Sequence, residues 1–218
     1  MSRGDELVAG LRTGDVVDPD AAAGDLFDEF STGYPLERLR ELIHSDSEPA
    51  VRAAAWIASE LGDRVAPVLE DVSTLLDSPI RYARFFAIDA VLAASTSAHG
   101  RLIAKAIDRV ADGDDAVRWK AVQFLARASG EQLTAGVPYL QDEQLRVLTA
   151  WLSDPEPADI IARLAAEDRL SRVFAAAAAA RLANEDRGPL DAAATMADTE
   201  VNSFAKEQLE LLAIRRRR

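Results

Sequence analysis

A chain of 218 residues with a net charge of −12 and no cysteine has neither the basic stripe that phosphate contacts need nor any thiolate or disulfide chemistry. Its longest uninterrupted apolar run, Val173 to Ala180, is eight residues, far below the roughly 20 that a helix needs to cross a bilayer. At 49% apolar residues a chain of this size is expected to bury about 70% of its surface in one elongated unit. The opening Met1-Ser2-Arg3-Gly4-Asp5-Glu6 has no apolar signal segment, so a cytoplasmic location is expected.

Residues 1–33 carry eight acids against Arg3 and Arg12, a local net charge of −6. Two short helices are expected there, Asp5 to Arg12 and Pro19 to Phe30. The second offers Leu26, Phe27 and Phe30 to the first repeat, so the segment reads as an acidic helical cap, with an acidic binding arm as the alternative. Tyr34-Pro35 opens a helix from Pro35 to His44, because Pro is tolerated at the first helical position. Asp46 and Ser47 cap the next, which runs to Gly62. Val65 to Leu76 forms another, and Asp77-Ser78-Pro79 starts the helix that carries Arg84. Gly113-Asp114-Asp115, Gln141-Asp142, Asp154-Pro155 and Gly188-Pro189 mark later boundaries by the same chemistry. No segment alternates with period two in β-branched residues, so no sheet is expected. Arg215 to Arg218 form a basic tail that suits the negative end of the last helix.

One signature recurs along these helices: an apolar or small residue, a basic residue after it, and a small residue three further on. It reads Val51-Arg52-x-x-Ala55, Ala83-Arg84-x-x-Ala87, Val117-Arg118-x-x-Ala121, Leu145-Arg146-x-x-Thr149, Ser171-Arg172-x-x-Ala175 and Val201-Asn202-x-x-Ala205. Successive starts lie 32, 34, 28, 26 and 30 residues apart. A period of that length marks a solenoid of stacked helix pairs, in which no single repeat can bury its apolar face alone. The expected fold is an all-α, right-handed α-solenoid of about six pairs over residues 34–214, with the cap before it and the tail, residues 215–218, after it.

On these residues the chain resembles the HEAT repeat family from roughly Pro35 to Ala213. The resemblance implies that the signature lies on the second helix of each pair, and that an Asp near the preceding turn bonds the Arg. Asp115 stands two residues before Val117 and Asp142 three before Leu145, which fits. Arg52, Arg84, Arg118, Arg146 and Arg172, with Asp115 and Asp142, are thus expected to form an internal structural ladder, in keeping with the Arg preference for carboxylates. Ser171 and Asn202 depart from the pattern, as terminal repeats often do.

At about 100° per residue, signature positions 0, 4, 7, 8 and 11 share one side of the helix, and positions 2, 6 and 9 fall opposite. In a HEAT-like stack that opposite side would line the concave surface. It carries Phe85, Trp119 and Trp151 among Glu60, Asp89, Gln123 and Asp154, and Tyr82 points the same way. Aromatic anchors ringed by acids suit a protein-binding surface, so these eight residues are the candidate partner-binding set. The alternative is that they pack between neighbouring helices.

Catalytic and metal chemistry find no carrier. His44 and His99 are more than a repeat apart with no ligand at helical spacing, Asp18-x-Asp20 lacks the rest of a calcium loop, and there is no phosphate-binding or nucleophile-elbow motif. No cofactor and no metal are expected. The acidic charge argues against nucleic acid and anionic lipid, and for a basic protein partner. The segment from Gly33 to Gly62 is similar to the opening repeat of bacterial HEAT-like proteins associated with polymorphic toxin systems, which implies an immunity protein that neutralises a toxin by occlusion. The spacing of Phe85 and Asp89, with Trp119 and Trp151, is also similar to the HEAT-like alkylpurine DNA glycosylases, whose basic cleft this sequence lacks. A general assembly scaffold is the third reading.

Overall fold

The structure, a computed structural model that describes residues 2–215, is built from helices with no strand among the described residues. The α-helices are α1 (Arg3–Thr13), α2 (Pro19–Ser31), α3 (Leu39–Ile43), α4 (Glu48–Glu60), α5 (Leu69–Leu76), α6 (Arg81–Ala94), α7 (Gly100–Asp108), α8 (Asp115–Arg127), α9 (Gly130–Gly136), α10 (Glu143–Leu152), α11 (Pro157–Leu164), α12 (Arg169–Leu182), α13 (Gly188–Ala193) and α14 (Thr199–Arg215). Short 3₁₀ turns link several of them. Of the expected basic tail, Arg215 ends α14 and Arg216 to Arg218 lie outside the described residues.

Local chemistry explains most boundaries. The side chains of Asp18, Asp114, Asp142 and Asp168 accept the first-turn N–H groups of α2, α8, α10 and α12. The helix expected over Val65–Leu76 is shorter, because Pro67 lacks an N–H and residues Gly62–Val68 run as 3₁₀ turns before α5. Pro35 likewise leads into a 3₁₀ turn, Leu36–Arg38, ahead of α3. Ser47 stands before α4 but donates its hydroxyl to the Leu11 carbonyl, 2.9 Å away, tying α1 to the first repeat instead of capping.

The repeats close through the signature. Its first residue is no more than 7% exposed in all six helices, and its last, Ala55, Ala87, Ala121, Thr149, Ala175 and Ala205, is fully buried in every one. One row runs α2, α4, α6, α8, and a second runs α1, α3, α5, α7, α9, each helix packed on the next. This is an α-solenoid.

The fourth repeat breaks the regular order. α8 packs directly on α12, and α10 packs on α9 and α12, so the signature helix α10 does not stand between its neighbours in the row. Arg169 at the start of α12 donates to the Val110 carbonyl just before α8, at 3.1 Å, and Arg181 near the end of α12 donates to the Leu125 and Ala128 carbonyls at the end of α8. The two helices therefore run parallel, in register. Five of the six alanines from Ala175 to Ala180 are fully or almost fully buried, and their small side chains allow that approach. α14 packs on α12 and also reaches α8, where Phe204 meets Trp119 edge-on with ring centroids 5.6 Å apart.

Candidate partner-binding groove

The signature arginines share a task set by their register. Arg84, Arg118 and Arg172 each donate to the carbonyl six residues upstream, that of Ser78, Asp112 and Ala166, at 2.8–2.9 Å. Asn202 takes the same place with its amide, donating to Met196 at 3.2 Å and to Ala194 at 2.6 Å. In these four helices the position needs a donor more than it needs a charge. Two of these arginines also reach forward to the turn before a later signature helix. Arg84 grips Asp112 with bonds of 2.8 and 3.0 Å, and Arg172 bonds Asp198 at 2.8 Å. Arg118 pairs with Asp115, which is 92% exposed, and Arg146 with Glu143. Asp142 accepts the Leu145 N–H as a helix cap. Arg52 does none of this; its guanidinium lies 4.8 Å from the centroid of the Tyr82 ring.

In α4, α6, α8 and α12 positions 2 and 6 form seams between signature helices, whereas Val147 and Ser203, at position 2 of α10 and α14, are exposed. Ala53, Ile57, Val173 and Ala177 are buried in these seams. Phe85 and Asp89 meet α8 through Lys120, whose ammonium bonds Asp89 at 2.7 Å and lies 4.4 Å from the Phe85 centroid. Trp119 packs on Phe204, and Gln123 donates to Glu207 at 3.3 Å, both across to α14. Trp151, on the displaced α10, lies under the guanidinium of Arg163 at 4.5 Å, with its indole N–H buried and unpartnered among the described residues. Glu60 and Asp154 are exposed at or beyond helix ends. Of the eight candidate residues, Tyr82 alone faces an open groove.

That groove, with a volume of about 690 Å³, lies where α2, α4 and α6 meet. Pro19, Asp20 and Ala23 come from α2, Glu48, Pro49, Arg52, Ala53 and Trp56 from α4, and Tyr82 and Phe86 from α6. Aromatic side chains gather at it in two groups. Phe27 meets Trp56 at 5.6 Å, and Phe86 meets both Tyr82 at 5.5 Å and Phe85 at 5.2 Å. Tyr82, 43% exposed, stands at the open side of the groove. Sequence reasoning missed Trp56, Phe86 and the role of Arg52. They occupy signature positions 5, 3 and 1, beside the assigned face, and their available signal was the pair of aromatics Trp56 and Phe86 on consecutive signature helices.

The histidines serve the scaffold. His44 Nε2 lies 2.8 Å from Asp71, which also receives Arg40 at 2.7 Å, and His99 Nδ1 accepts the Thr96 N–H at 3.0 Å. Among the described residues no cluster of His, Cys, Asp and Glu is placed to hold a metal ion, and no helix is long and apolar enough to cross a membrane. Asp5 anchors the first helices: hydrogen bonds from the Ser2 N–H and then the Tyr34 hydroxyl hold its carboxyl down at a pKa of about 2.

No family model matches the chain, and no curated protein does. Solved structures do. A designed armadillo repeat protein is similar with a TM-score of 0.52 at 15% identity, over 94% of this chain and 98% of that one. The crystal structure of an engineered protein is similar with a TM-score of 0.51 at 19% identity, over 96% of each chain. At these identities the likeness speaks for architecture alone, and what it shows is a helical-repeat solenoid.

Proposed function

We propose that the protein is a non-enzymatic, protein-binding solenoid whose contact surface is the groove between α2, α4 and α6. The observation that carries this reading is the gathering of Trp56, Tyr82 and Phe86 in one open, mostly apolar groove, since aromatic anchors in a pocket supply most of the energy of an interface. The whole-chain charge of −12 supports a partner of net positive charge, drawn in by long-range attraction. Neutralisation of a basic toxin by occlusion is the sharpest form of this proposal, supported by that charge and by the likeness of residues 33–62 to the opening repeat of HEAT-like immunity proteins. The glycosylase reading finds no support in the geometry. The residues that carried that reading are engaged elsewhere: Asp89 with Lys120, Trp119 with Phe204 and Trp151 with Arg163.

Photo-crosslinking from position 82 and from the exposed Glu70, on the other row, tests the proposal in cells that express the protein. The expected outcome is a partner captured from position 82 alone, whose purified form binds the Tyr82→Ala, Phe86→Ala variant about thirtyfold more weakly, the equivalent of about 2 kcal/mol. Capture from Glu70 alone, or binding unchanged by the double substitution, overturns it.

A further inference from the structure

Arg52 is the exception among the signature residues, and the exception sits in the groove. Its counterparts Arg84, Arg118 and Arg172 each take the upstream carbonyl and a carboxylate, and Arg146 takes Glu143. Around Arg52, among the described residues, no carboxylate oxygen lies within 4.0 Å and no hydrogen bond forms. The corresponding upstream carbonyl, that of Asp46, goes untouched by it. Its guanidinium lies over the ring of Tyr82 instead. Arg52 is a half-buried residue on an apolar wall, and among the described residues it stands without an ion pair. Asp20 and Glu48 line the same groove, and neither carboxylate comes within 4.0 Å of the Arg52 guanidinium nitrogens. Asp20 and Glu48 are exposed and stand in the first turns of α2 and α4, where the helix field itself holds a carboxylate.

We propose that the groove docks a partner segment that places a carboxylate on Arg52 and an aromatic or branched aliphatic side chain among Trp56, Tyr82 and Phe86. The planar fork of the guanidinium, 4.8 Å from the Tyr82 ring centroid, carries parallel N–H donors that match a carboxylate. This rests on the reading of the groove as the docking surface and adds the chemistry of the occupant. It is compatible with a partner of net positive charge, because the long-range field acts on the partner's total charge and Arg52 on a single group. Unlike encounter, the docked pair is shielded by the apolar wall and resists added salt.

The test pans a displayed library of random peptides, about twelve residues long, against the full chain, the Arg52→Glu variant and the Tyr82→Ala, Phe86→Ala variant. Wild type is expected to enrich peptides with Asp or Glu within about three residues of Trp, Phe or Leu, and Arg52→Glu to exchange that acid for Lys or Arg. A synthetic peptide of the enriched sequence should shift the emission of Trp56, and should bind Arg52→Gln about tenfold more weakly and Arg52→Lys to an intermediate degree, because Lys keeps the charge and loses the fork. Enriched peptides that need Tyr82 and Phe86 but carry no acid, or that bind Arg52→Gln as tightly, overturn the carboxylate while leaving the groove in place. Enrichment indifferent to the double substitution, or none at all, overturns both.

Discussion

At the scale of residues, Thr149 and the buried carboxylates show what the repeat tolerates. Five of the six signatures end in Ala; the fourth ends in Thr149, whose hydroxyl is buried and unpartnered among the described residues. A buried polar atom without a hydrogen bond costs about 1–3 kcal/mol. Thr149→Val keeps the shape and removes that atom, so it should raise the melting temperature, by an amount corresponding to about 1 kcal/mol. A fall would mean that the hydroxyl finds a partner in solution. Among the carboxylates, burial alone would push Asp71, Asp112 and Asp198 up. Hydrogen bonds from His44 and Arg40, from Arg84 and from Arg172 outweigh it, and all three titrate below the ordinary range. A carboxylate with a lowered folded pKa contributes stability that is complete above its unfolded value and is lost as pH falls through the folded one. Thermal stability should therefore hold near neutrality and drop below about pH 4. Asp112→Asn should be less stable at pH 7 and show a shallower acid limb. A limb as steep as wild type in that variant would remove Arg84–Asp112 from the account. Asp108 acts in the opposite sense, since burial raises its pKa.

At the scale of elements, the two rows are held by close approach and by crossing side chains. Gly100 has no room for a Cβ, which would lie 2.3 Å from the Ala135 carbonyl oxygen, and this contact sets the distance between α7 and α9. Arg181 joins α12 to α8: burial lowers its pKa, and it meets carbonyls only. Arg181→Leu should cost about 1–3 kcal/mol by leaving those carbonyls without a donor. By contrast Arg187→Ala, which breaks a pair with Asp191 whose side chains are 52% and 51% exposed, should change stability by less than about 0.5 kcal/mol. Equal melts for the two variants would show that α8 and α12 are not joined through Arg181. The solenoid was legible because positions 0 and 4 face the partner helix in every repeat, whatever the neighbouring repeats do, so the same residue types recur there. Position 1 was legible as a scaffold position in Arg84, Arg118 and Arg172, but not in Arg52, whose sequence context looks the same. Which of the remaining positions stay open depends on how each helix is rotated against the next. Trp119 and Phe204 are far apart in sequence, and no local pattern announces that they meet. The displacement of α10, which separates Trp151 from the other aromatics, has the same non-local origin.

At the scale of the whole molecule, that contact changes the kind of cooperativity to expect. A regular solenoid couples each repeat only to its neighbours, so it frays from both ends. Here α8 touches α12 and, through Trp119–Phe204 and Gln123–Glu207, reaches α14 as well, so the third, fifth and sixth signature helices form one packed unit. The first repeats have no such closure and hold the open groove, with α2 and α4 bound mainly to sequence neighbours. Native-state hydrogen exchange should accordingly find α8, α12 and α14 opening together with the highest free energy, and α1 to α4 opening separately below it. Phe204→Ala tests the coupling. Phe204 is 1% exposed, so its truncation should cost about 3–5 kcal/mol. In a chain of nearest-neighbour repeats the loss of protection would spread from α14 to α13 and α12 and fade before α8. In this chain the amides of α8 should lose protection together with those of α14, while those of α4 keep theirs, and Trp119 emission should shift to the red in a background with Trp56 and Trp151 replaced by Phe. Unchanged protection in α8 would mean that α14 is an ordinary terminal repeat and that the C-terminal half is not closed upon itself.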